Sequence, residues 1–160
     1  MNVHILEMPL DYGGRRHGSD MGPSAIRLAG LREKIEGLGH NVFVNKKGFN
    51  IVAQEYADAG SNPKAKYLDA IVDACTDLAR EVEAVSDTGD FPLVLGGDHS
   101  IALGTLAGLG ASYKKSGKKL GVLYVDAHGD FNTAETSSTG NIHGECMAAS
   151  ESYELERQVA

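Results

Sequence analysis

The chain reads as an α/β protein, a three-layer arrangement of a largely parallel sheet with flanking helices, and three observations predict it. Apolar runs at 3–8, 91–95 and 121–125 have the length of strands. Between them lie longer stretches whose apolar residues recur every three or four positions. Glycine is abundant, 20 of 160 residues against a usual ~7%, and it gathers where strands hand over to helices or helices end.

Taken in order, residues 3–8 predict a first strand, and the polar, glycine-containing stretch 11–20 predicts a loop. Pro23 fits the first position of a helix over about 23–38 that has Ile26, Leu28, Ala29, Ile35 and Leu38 available for burial. Gly39 fits its left-handed stop. A short strand follows near 42–44, and 45–63 has no sustained period, so it reads as loop or a surface turn of helix.

From Lys64 the pattern sharpens. Leu68, Ile71, Val72, Cys75, Leu78, Ala79, Val82 and Val85 fall on one face of an amphipathic helix. A strand at 92–95, a helix opened by Ser100 and running to about Lys115, and a strand at 120–125 then make a βαβ unit. Residues 151–160 read as a short helix or a frayed tail.

Composition narrows the function class. The formal net charge is −7 and no block of Lys or Arg exceeds two, which disfavours nucleic acid or an anionic membrane as partner and favours a small molecule. The amino terminus lacks a basic, then apolar, signal pattern, and no apolar run approaches the ~20 residues of a membrane span, so a cytoplasmic location is expected. Cys75 and Cys146 have no zinc-type spacing and read as two reduced thiols.

The chemistry is concentrated at the ends of two apolar runs. Gly96-Gly-Asp-His99-Ser100 follows one, and Asp126-Ala-His128-Gly-Asp130 follows the other. Carboxylate, imidazole and carboxylate at alternate positions leave an extended chain end close together, and all are ordinary ligands for a divalent cation. If the two runs are neighbouring parallel strands, His99 joins them beyond the carboxyl ends. An isolated Asp or Ser there would more often be a helix cap, but five metal-compatible side chains (Asp98, His99, Asp126, His128 and Asp130) at two strand ends point to a metal. The next stretch, 132–144, is rich in hydroxyls and amides. Directly after the metal motif it suits a rim that hydrogen-bonds a polar substrate, with His143 as proton carrier.

Gly-Gly-Asp-His-Ser at 96–100, Asp-Ala-His-Gly-Asp-Phe-Asn-Thr at 126–133 and Gly-Asn-Ile-His-Gly at 140–144 closely resemble arginases, within the ureohydrolases. The stretch 18–27 is similar to the arginase amino-terminal segment, and the resemblance extends to about Ser150. It implies manganese as cofactor, two ions per site, with His99, Asp126 and Asp130 on one ion and Asp126 with His128 on the other. It implies hydrolysis of the guanidinium of L-arginine to L-ornithine and urea. Catalytic roles would fall to Asp130 and to His143, which would shuttle the proton, while Asn132, Ser137 and Thr139 would contact the amino-acid end of this guanidino substrate. Asp98 fits better as an orienting partner or helix cap than as a ligand.

The family continues to a third motif with two further Asp ligands, absent from these residues, so 1–160 are expected to be the amino-terminal part of a single arginase-like domain, a truncated fold. Two dications ~4 Å apart repel by about 16 kcal/mol at an effective dielectric of 20, and Asp126 and Asp130 alone offset them poorly. A stable binuclear site is therefore not expected here, activity of the 160 residues alone is in question, and association into homo-oligomers or aggregates through an uncovered sheet edge is expected. The alternatives are a non-catalytic truncated arginase-like protein, another ureohydrolase such as an agmatinase, and a deacetylase-like metal hydrolase, against which the Asn-Thr and Gly-Asn-Ile-His-Gly pair argues.

Overall fold

The computed structural model describes residues 1–45 and 47–150, so the tail at 151–160 lies outside the described residues. Three strands form a parallel sheet in the order β2-β1-β3: β1 is Asn2–Met8, β2 Asn41–Val44 and β3 Phe91–Gly96. Val3 faces Val42 on one side and Phe91 on the other, and Met8 faces Gly96, so the carboxyl ends of β1 and β3 stop together. Helices α1 (Gly22–Leu28), α2 (Leu31–Gly37) and α3 (Leu68–Asp87) flank the sheet, α4 (Ile101–Lys115) packs on α3, and the α/β class is the one the pattern predicts.

Alternation along β1 divides the layers. Leu6 and Met8 face a core that includes Ile71, Leu78 and Val82 of α3. Glu7 points to the opposite side, where Arg27 of α1 donates to it. Along α3 the buried residues Ile71, Cys75, Leu78, Val82 and Val85 are those the three-four spacing selects, while Leu68 and Val72 at the margin of the face stay exposed. α4 lies so close against α3 that a Cβ on Gly104 would stand 2.6 Å from the Cys75 carbonyl oxygen. One on Gly108 would stand 2.5 Å from that of Ala79.

Two expectations are corrected. The single helix over 23–38 is two seven-residue helices, because Gly30 takes a left-handed φ of 81° and turns the chain between them. Ile26, Leu28 and Leu38 are consequently exposed rather than buried, although Gly39 provides the expected left-handed stop. The strand at 120–125 does not form, so the βαβ unit stops at α4. Leu123 is 90% and Val125 88% exposed. A parallel strand of that composition needs a ladder partner and apolar cover on both faces. The described layers do not bring that cover to it, and β3 keeps an unpaired outer edge among the described residues.

Candidate metal centre

The centre is built at the carboxyl end of β3. Gly97 N–H donates to the Met8 carbonyl at 3.2 Å and Asp98 N–H to that of Leu10 at 2.9 Å, which ties the turn after β3 to the end of β1. Glycine is required at 97, since a Cβ there would lie 1.9 Å from the Leu10 oxygen. Asp98 turns inward and is buried. Its carboxylate accepts the backbone N–H of Gly13 and of Ser100, each at 2.8 Å, together with the Ser100 hydroxyl, so it fastens the 11–20 loop to the start of α4.

His99 is left facing outward, 48% exposed, with Nε2 3.1 Å from Oδ2 of Asp126. The other Asp126 oxygen accepts the His128 N–H at 2.9 Å. That bond is the main reason the Asp126 carboxyl lies below its ordinary pKa, with the His99 and His128 rings adding to it against a smaller effect of burial. Asp130 is buried in left-handed backbone, φ 51°. Its carboxylate accepts the Tyr124 hydroxyl at 2.6 Å and its carbonyl accepts the Met147 N–H at 3.1 Å. Burial first, and the bond to Asp130 second, push the Tyr124 phenol far above its usual range.

One ligand atom from each of His99, Asp126 and Asp130 lies within 4.8 Å of the others, a nitrogen-oxygen set that suits a divalent cation. His128 is not in this trio. Its ring is 80% exposed, with Nδ1 3.5 Å from Asp126. The residues therefore fit one ion with open positions for water or substrate; a second ion would have only the Asp126 carboxylate and a solvent-facing imidazole.

His143 stacks on His99 of the trio, ring centroids 5.9 Å apart and planes inclined by 26°, and its backbone N–H donates to the Gly13 carbonyl at 3.3 Å. The polar rim is divided. Asn132 and Thr139 are exposed; Asn132 N–H reaches the Gly144 carbonyl at 3.2 Å, and the Thr139 hydroxyl oxygen accepts the Asn141 N–H at 3.2 Å. Ser137 is buried, with its hydroxyl oxygen accepting the Gly140 N–H at 3.0 Å.

Tyr124 and Gly13 are the members that sequence reading misses. Tyr124 looks like one more apolar strand residue, and only its spacing of two from Asp126 hints at a place beside the motif. A Cβ on Gly13 would come 2.6 Å from an Asp98 oxygen, a closeness that the Gly-Gly pair in the loop could have signalled. Two open cavities lie elsewhere. One of about 450 Å³ is lined by Asp11, His17, Asp20 and Gln54 among others, and one of about 370 Å³ by Tyr56, Asn62 and Asp73. Neither includes a predicted site residue. Among the described residues, no helix is long and apolar enough to cross a membrane.

A family model described as the arginase family matches residues 1–158. The arginase of Brevibacillus brevis is 47% identical over 156 residues, which cover 98% of this chain and 50% of that protein. The crystal structure of arginase from Bacillus cereus superposes with a TM-score of 0.81 at 46% identity, over 93% of this chain and 47% of that one. The structure of Entamoeba histolytica arginase in complex with L-ornithine gives 0.73 at 28% identity, over 92% and 48%. The chain thus spans about half the length of the curated relatives it matches.

Proposed function

The chain belongs to the arginase family, and on that premise we propose that it supplies ligands and proton-handling groups for manganese-dependent hydrolysis of L-arginine to L-ornithine and urea. The observation that carries the reading is the convergence of His99, Asp126 and Asp130 beyond the end of β3, with His143 stacked on His99. His99, Asp126 and Asp130 hold one Mn²⁺, and His128 serves the poorer second position against Asp126. When bound, such a cation would supply Lewis acidity to a water and to the substrate, and a second, well-held cation would be needed to make that water acidic enough to attack at neutral pH.

The chain's own groups handle binding and protons. His143, partly exposed and near His99, carries the proton that must reach the departing amine. Asn132 and Thr139 offer exposed acceptors and donors to the amino-acid end of the substrate, and Ser137 contributes there through the loop that its hydroxyl braces. Entamoeba histolytica arginase, crystallised with L-ornithine, is a relative of matching fold with an amino-acid ligand of the proposed product's chemistry. We place the working protein in the cytoplasm and expect it to self-associate through the exposed segment at 122–125 and the edge of β3.

The test is urea release with Mn²⁺, with arginine against agmatine. These 160 residues alone are expected to turn over several orders of magnitude more slowly than a chimera in which they replace the matching half of the Brevibacillus brevis arginase, because one well-held cation leaves the attacking water largely protonated. In the chimera, His143→Ala is expected to lower kcat by about 10²–10⁴ with a much smaller change in KM. Preference for agmatine would move the assignment to another ureohydrolase, and no urea from a folded, metal-loaded chimera would defeat it.

A further inference from the structure

We infer that Tyr124 is a positioning residue for the cation site, holding Asp130 and His99 in the arrangement an ion requires. The inference rests on the metal reading proposed above. Asp130 occupies left-handed backbone, a conformation that a residue with a side chain keeps only when its surroundings fix it. Two contacts do so. Met147 N–H takes its carbonyl at 3.1 Å, and the Tyr124 hydroxyl takes Oδ2 of its carboxylate at 2.6 Å. Asp130 is only 9% exposed, so without the phenol that oxygen would lose its partner in a place where water reaches it poorly.

Tyr124 also meets the second member of the trio. Its ring stands edge-on to the His99 imidazole, centroids 6.5 Å apart and planes at 67°. It lies two residues before the third, Asp126. One side chain therefore constrains two ligands directly and precedes the other on the same stretch of chain. A hydroxyl on one side of a carboxylate fixes its orientation and leaves the remaining lone pairs free for an ion, which is the role outer partners play around metals. Removing it is expected to lower metal affinity by about 10–100-fold without removing any ligand.

The experiment titrates the intact 160-residue chain with Mn²⁺ and follows free Mn²⁺ by its electron paramagnetic resonance signal. Tyr124→Phe is expected to bind about 10–100-fold more weakly than wild type, while Tyr56→Phe, which removes an exposed hydroxyl elsewhere, leaves affinity unchanged. Because the hydroxyl acts through Asp130, Tyr124→Phe combined with Asp130→Asn is expected to bind no more weakly than Asp130→Asn alone. Equal affinity of Tyr124→Phe and wild type, or losses that simply add, overturns the positioning role while leaving the metal reading in place. No Mn²⁺ binding by wild type overturns both.

Discussion

α3 and the segment at 120–130 both carry dense apolar residues, yet α3 buries its face and the segment exposes it. Ile71, Leu78 and Val82 are fully buried, whereas Leu123 and Val125 are close to fully exposed. The difference lies in where the stabilising partner comes from. A helix satisfies its backbone within itself and needs a neighbour for only one stripe, which β1 and α4 provide. A strand depends on another strand for every hydrogen bond and on two layers for its faces. The residues proposed to carry the chemistry, Asp126 to Asp130, hang from the segment with the less complete packing, and Tyr124 and Met147 fasten it locally.

Truncations sharpen this contrast most. Leu78→Ala is expected to cost about 2–5 kcal/mol in urea unfolding, as for other fully buried leucines. Leu123→Ala, measured at protein concentrations too low for self-association, is expected to stay within about 0.5 kcal/mol. A large loss at Leu123 under those conditions would mean that the segment is packed within the single chain and that the two regions are alike.

Next in size is a glycine pair on α4. Gly108→Ala pushes a methyl against the Ala79 carbonyl and is expected to destabilise by about 1–3 kcal/mol. Gly110→Ala meets nothing within 4 Å and is expected to stabilise by about 0.5–1 kcal/mol through helix propensity. Thermal melts of the two variants should move in opposite directions. If both move the same way, the helix contact is not the one described.

A smaller effect concerns the edge of the packed body. Burial pushes the Asp90 carboxyl up, but hydrogen bonds from Asn2, His4 and Thr88 outweigh it and hold the group below its ordinary pKa. A folded pKa below the unfolded one gives stability that is present above the unfolded value and lost as pH falls through the folded one. The stability gap between wild type and Asp90→Asn is therefore expected to be steady near neutrality and to shrink as pH is lowered through the carboxylate range. A gap that widens on acidification would reverse the sign.

What the sequence made legible follows the same division. β1, β3, α3 and α4 come from local periodicity and stand near where the pattern puts them, while Asp98, expected as an orienting partner or a helix cap, instead bridges Gly13 and Ser100. The break at Gly30 went unread, because a glycine inside a helical pattern does not by itself reveal the left-handed φ that turns the chain there. The absent strand at 120–125 was illegible because an apolar run records a need for partners and not their presence. For the centre, the motifs pointed to His99, Asp126, His128 and Asp130, of which His128 does not join the cluster, while the bond from Tyr124 to Asp130 depends on a turn that no pairwise spacing encodes.

The most direct test of whether these residues make a cation site is the number of Mn²⁺ ions retained per chain after exhaustive dialysis, measured beside the affinity. With three clustered ligands and His128 turned to solvent, at most about one ion is expected, held weakly, and Asp126→Asn should abolish it. Two tightly held ions per monomeric chain, or undiminished binding in Asp126→Asn, would contradict it.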